Sequence, residues 1–129
     1  MKAGRKKQVL TEKEQVLMQI LWKRGPMLVR EMVDAYPEEP SPHFNTVATT
    51  LRILEDKGFV GHNTLGGSHQ FYAILEKDEV RNRSIAEIVR NFFDNSYKNA
   101  VSALVEDEKL SVDELKEIIS IIEANNKKQ

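Results

Sequence analysis

Sixteen consecutive residues, Asn45 to Val60, constrain this chain more than any other stretch: N-T-V-A-T-T-L-R-I-L-E-D-K-G-F-V. Val47, Leu51 and Leu54 recur at i, i+4 and i+7, so a helix here carries one apolar stripe. Asn45, Thr46, Thr49 and Arg52 fall on the far side, and such side chains read base edges and phosphates. Asn45 or Ser41 can cap the start, and Gly58 supplies a left-handed exit. Phe59 and Val60 then begin an extended segment. The pattern predicts a recognition helix leading into a β-wing.

The flanking sequence supplies the rest of such a unit. Thr11 with Glu14 is a capping box, and Val16, Leu17, Ile20 and Leu21 keep helical spacing as far as Trp22, which is expected in the core at the helix end. Gly25-Pro26 breaks this first helix. Met27-Leu28 makes a short extended bridge, and Val29 to Tyr36 a short second helix packing through Val33 or Met32. Pro37, Pro40 and Pro42 stiffen the next loop. Val60–Thr64 and Gln70–Ile74 are strand candidates around Leu65-Gly66-Gly67-Ser68, a hairpin with glycine at its tip. Residues 1–75 therefore read as a winged helix-turn-helix DNA-binding domain. Its expected DNA-contacting set is His43, Asn45, Thr46, Thr49, Arg52, Lys57 and His69.

Beyond Glu76 the strand signals stop. Val80, Ile88, Val89, Phe92, Phe93 and Tyr97 form an apolar stripe on what reads as one long helix, and Ala100, Val101 and Leu104 follow on another. Ser111 with Glu114 is a second capping box, opening a last helix with Val112, Leu115, Ile118, Ile119 and Ile122 on one face. Helices this apolar need cover, and a second copy of the chain is the economical source. Residues 76–129 are thus expected to be a helical dimerisation region, joined through Ile88, Phe92, Val101, Leu104, Leu115, Ile118, Ile119 and Ile122. The expected fold class is mainly α with a small β-wing, a winged helix-turn-helix followed by that region.

Charge agrees mildly with this division. The formal net charge is −1 overall, +2 over residues 1–75 and −3 over residues 76–129. Lys2, Arg5, Lys6 and Lys7 crowd the N-terminal tail, a candidate groove-binding arm or a solvated tail. Cysteine is absent, which removes disulfides and thiolate metal sites. His43, His62 and His69 lack ligand spacing and a carboxylate nearby in sequence, so they suit structural or phosphate-contacting roles better than a metal. No Gly-rich phosphate loop, His-Glu-x-x-His or nucleophile grouping occurs, so neither catalysis nor a cofactor is expected. No run reaches membrane-helix length and no signal-peptide core opens the chain, predicting a cytoplasmic protein without membrane insertion. Two other readings compete: a winged helix used only for protein contact, and a ligand-gated regulator of the MarR type, whose dimer helices flank the winged domain on both sides.

L-T-E-K-E-Q-V-L-M-Q-I-L-W from Leu10, G-P-M-L-V-R-E-M from Gly25 and the Asn45–Val60 stretch, in this order and spacing, resemble the penicillinase-repressor family of BlaI/MecI type. The resemblance implies a homodimeric bacterial repressor with its winged helix on double-stranded operator DNA and its C-terminal helices in the dimer. The chain departs from the family at three points. Ile53 stands where members often have arginine, and His69 where they have a basic wing residue. Members of the β-lactam systems are cut at an Asn-Phe bond by a membrane metalloprotease-receptor, and Ala103-Leu104 aligns near that bond here. The Cys-x-Cys pairs of the copper-responsive branch are missing. The resemblance thus names a metalloprotease-receptor as an inducing partner while removing its usual cleavage bond.

Overall fold

Thr11 opens the first helix through the reciprocal bonds its spacing predicts. Its hydroxyl accepts the Glu14 N–H (3.2 Å), and the Glu14 carboxylate accepts the Thr11 N–H (2.9 Å). A computed structural model describes residues 10–127; Lys2, Arg5, Lys6 and Lys7 lie outside the described residues. Helix α1 (Glu12–Arg24) buries Leu17, Met18, Ile20 and Leu21, and Gly25 ends it. Strand β1 (Met27–Leu28) leads into α2 (Val29–Ala35), whose start is tied by the Leu28 N–H donating to Glu31 (2.8 Å). Helix α3 (Phe44–Asp56) follows, then β2 (Val60–Leu65) and β3 (Ser68–Ala73).

The three strands form one antiparallel sheet in the order β1-β3-β2, with Met27 opposite Phe71 and His62 opposite the other side of that same residue. The hairpin closes on Leu65 opposite Ser68. Gly66 and Gly67 between them have φ of 53° and 86°, the double positive φ of a type I′ turn, which matches strand twist. Pairing therefore runs to the very edge of the glycines, and both strands sit nearer the tip than Val60–Thr64 and Gln70–Ile74. The order helix, strand, two helices, two-stranded wing is that of a winged helix-turn-helix.

Leu17, Met18, Leu21, Met32, Val47, Leu51, Leu54, Phe59 and Val60 fill the centre of this unit with almost no exposure. Val80 belongs to the same core. Trp22 packs at its margin, donating its indole N–H to the Leu75 carbonyl (2.9 Å).

Three more helices follow among the described residues: α4 (Lys77–Phe93), α5 (Tyr97–Glu106) and α6 (Val112–Lys127). The chain divides into two compact units between Ile85 and Ala86, inside α4, whereas the sequence places its boundary at 75/76. Tyr97 does not continue the α4 stripe. Asp94 and Asn95 take left-handed φ of 52° and 67°, and the Ser96 hydroxyl caps α5 by accepting the Asn99 N–H (3.0 Å). Short polar side chains tolerate that conformation, so Asp-Asn-Ser splits what periodicity alone reads as one helix. The second capping box forms as spaced, between Ser111 and Glu114. Among the described residues from Ala86 onward, Val89 is the one buried hydrophobic side chain. Among the described residues no helix is long and apolar enough to cross a membrane.

Candidate nucleic-acid interface

Helix α3 has three sides. Val47, Leu51 and Leu54 face the core. At 100° per residue the opposite side carries Asn45, Thr49, Arg52 and Asp56, all exposed. Exposed Ile53 borders this strip, and Phe44, also exposed, lies at the helix start nearer the core-facing side. Among the described residues the Arg52 guanidinium has neither a hydrogen bond nor an ion pair, so its donors are available to a ligand.

Two expected contacts leave this face. Thr46 turns aside and is half-buried, lining a narrow crevice with Lys13, Tyr36, Pro42 and Thr50; its carbonyl accepts the Thr50 hydroxyl (2.9 Å). Burial, followed by the charge of Glu38, pushes the Tyr36 phenol upward, so it stays neutral beside this crevice. Neither Asn45 nor Ser41 caps the helix. His43 does, its Nδ1 accepting the Asn45 N–H (3.2 Å), which leaves the Asn45 side chain free on the outward face.

Lys57 is the larger correction. Its Nζ donates to both oxygens of Glu14, at 2.8 and 2.9 Å, with side chains 11% and 4% exposed. A cation so paired and so little exposed has its charge already answered within the chain, which does not fit the expected phosphate contact. Its work is mechanical, since Glu14 also caps α1, and the pair thereby fixes the C-terminal end of α3 against the N-terminal end of α1. The two residues are 43 positions apart. The one hint in sequence is that Glu14 precedes Leu17 and Leu21 on the apolar stripe of α1, where a carboxylate needs a partner.

The wing carries a cluster that sequence spacing hid. His62 Nδ1 lies 2.8 Å from the Glu55 carboxylate, to which it donates, so His62 does have a carboxylate, supplied by α3. The His62 and His69 rings meet edge to face at 4.5 Å, with Phe71 beneath both. His69 and Arg52 line a common cleft between α3 and the wing, and Arg30 of α2 joins them there. Arg30 is outside the set that the sequence pattern predicts; it becomes a neighbour because β1 pairs with β3 and carries the start of α2 against the wing.

Of the expected set, the fold thus brings Asn45, Thr49, Arg52 and His69 to one side of the molecule, places His43 at the helix start, and withdraws Thr46 and Lys57. The sequence profile of the penicillinase repressor family matches residues 10–124. The chain belongs to that family. Membership makes it a transcriptional regulator and not an enzyme. It is 22% identical over 113 residues to the methicillin resistance regulatory protein MecI of Staphylococcus aureus and to that of Staphylococcus epidermidis, covering 88% of this chain and 92% of theirs. MecI of Mammaliicoccus sciuri matches to the same extent. Among solved structures, the NMR structure of a homodimeric winged helix-turn-helix DNA-binding domain from Mycobacterium bovis aligns with a TM-score of 0.49 and 16% identity, over 74% of this chain and 83% of that one. The winged-helix assignment of this penicillinase-repressor relative rests on its own elements and their order.

The side chains expected at a dimer interface are mostly uncovered in the single chain. Ile88, Phe92, Val101, Leu104, Ile118, Ile119 and Ile122 are exposed, Phe92 to 78%, and Leu115 is half-buried.

Proposed function

We propose that this member of the penicillinase repressor family is a homodimeric repressor that binds a two-fold symmetric operator through α3 and the wing. The observation that carries the reading is the outward strip of α3, where Asn45, Thr49 and an unpaired Arg52 stand beside His69 of the wing. Asn and Arg are suited to bidentate contacts with adenine and guanine edges, and Thr49 to a thymine methyl. Residues 1–75 act as the DNA-binding domain and residues 76–129 as the dimerisation region, the exposed apolar side chains of α4, α5 and α6 being covered by a second copy. Two-fold symmetry then calls for an inverted repeat with half-sites about 34–36 Å apart, or a multiple. The protein acts in the cytoplasm, where such an operator lies. A winged helix reserved for protein contact calls for an uncharged or acidic third-helix face, and the combination of Arg52 with Asn45 and Thr49 favours DNA over that alternative.

Relief of repression follows from loss of the paired helices. A membrane metalloprotease-receptor would have to open Ala103-Leu104 inside α5, where the Ala103 carbonyl accepts the Asp107 N–H (3.0 Å), so any cut here needs prior unwinding of that helix.

Fluorescence anisotropy of the full chain on a duplex from its own promoter tests the assignment of the face. Arg52→Ala should weaken binding by about 1–3 kcal/mol and relax preference at one base pair if it reads a guanine. Unchanged binding at matched salt would remove this face from DNA.

A further inference from the structure

The cleft between α3 and the wing holds about 200 Å³, and its lining is of two kinds. Val29, Ala48 and Phe71 give it an apolar floor, while Arg30, Arg52 and His69 stand around it. Among the described residues no acidic side chain lines it. Among the described residues Arg30, like Arg52, has no hydrogen-bond or ion-pair partner. Two unpaired guanidiniums and an imidazole over buried hydrocarbon are matched by neither a plain anion nor a plain hydrocarbon. A hydrated phosphate gains nothing from Phe71, and an apolar molecule leaves the arginines unanswered. Guanidinium forks suit a carboxylate, which accepts two parallel N–H bonds. The volume lies below the roughly 300–1,000 Å³ of drug-sized pockets, which limits the occupant to one ring or a short chain.

We infer that this cleft binds a small amphipathic carboxylate, its apolar body against Phe71 and Ala48 and its charge between Arg30 and Arg52, and that its occupancy weakens DNA binding. The second half rests on the assignment of α3 and the wing to DNA. A carboxylate held by Arg52 removes a base or phosphate contact and adds a negative charge facing the duplex, so ligand and operator exclude one another. The dimer is left intact, which makes this a route of relief independent of any cut in α5.

Benzoate serves as the probe, with the isotope-labelled full chain followed by two-dimensional NMR. The amide signals of Ala48, Gly67 and Ser68 should shift together and saturate in the millimolar range, and Arg30→Gln, an exposed substitution on α2, should weaken that binding about tenfold. Inorganic phosphate at equal ionic strength should leave these signals unsaturated. Absence of a saturable shift, or equal saturation by phosphate, overturns the inference. A second arm measures operator affinity in benzoate against the same ionic strength of sodium chloride, expecting weaker binding in benzoate; equal affinity overturns the coupling. The first arm contains no DNA, so a protein that binds benzoate but no operator defeats the proposed function and not the cleft, while tight operator binding with no benzoate shift defeats only the cleft.

Discussion

In residues 10–85, Met18, Met32, Leu51, Leu54 and Phe59 are wholly covered by their own chain. In residues 86–127 Val89 alone among the hydrophobic side chains is covered, and Ile119 is 53% exposed although it sits on the same kind of amphipathic helix. The two regions have similar helical patterning and opposite outcomes. The difference lies in what surrounds each helix: α1, α2 and α3 fold around a shared centre capped by the sheet, whereas helices that lack such a centre must find one elsewhere. The first region is covered within one molecule, and the second leaves its apolar faces open, which is the basis for proposing that a second copy completes it.

The sharpest way to break this comparison is to attack the first region at a polar point. Glu14→Ala leaves the Lys57 ammonium buried without its counter-ion and removes half of the α1 capping box. The expected loss is about 3–5 kcal/mol, read by urea unfolding, and it should not vary with protein concentration. A loss below about 1 kcal/mol would mean that solvent reaches Lys57 freely, and the picture of α3 held at its C-terminal end would fail.

The matching attack on the second region is Ile119→Glu. It should convert a dimer to a monomer by light scattering at micromolar concentration and, because two linked reading heads gain effective concentration, weaken binding to a full operator about a hundredfold while sparing a half-site. In contrast with Glu14→Ala, its effect on thermal unfolding should depend on concentration. A folded monomer for the unaltered chain would collapse the distinction between the regions. Arg52→Ala comes next in size and touches neither region's stability, only the outward strip.

Local signals carried most of the fold into view. Both capping boxes, the Val47-Leu51-Leu54 stripe, the Gly58 exit and the diglycine turn depend on residues within one or two helical turns of each other, and each formed where its spacing placed it. What the sequence concealed was pairing across distance. Lys57 looks like a DNA contact until Glu14 arrives from another helix, His62 looks partnerless until Glu55 faces it, and Arg30 looks remote until β1 pairs with β3. Thr46 leaves the outward face for a different reason: it sits about 105° from the centre of the apolar stripe on a helical wheel, a flank lined by Lys13 and Leu17 of α1. The break at Asp94-Asn95-Ser96 was legible in residue type and overridden by the continuous apolar period on either side.

The smallest expected effect separates the two ends of α3 from one another. At its C-terminal end Glu14 and Lys57 are buried together. On its wing side Glu55 and His62 form a pair whose side chains are each about one-third exposed, and exposed pairs contribute about 0.2–1 kcal/mol. Glu55→Gln keeps an oxygen for the His62 N–H, so stability should fall by less than about 1 kcal/mol. DNA affinity should move the other way, since the substitution removes a negative charge from the helix proposed to face the polyanion: a gain of about twofold at low salt that vanishes as salt is raised. The measurement is a salt series of anisotropy titrations on one operator duplex. Should affinity instead drop tenfold at every salt concentration, the exposed pair would be setting the wing's position as firmly as the buried pair sets the helix, and burial would no longer explain which of the two couplings the interface depends on.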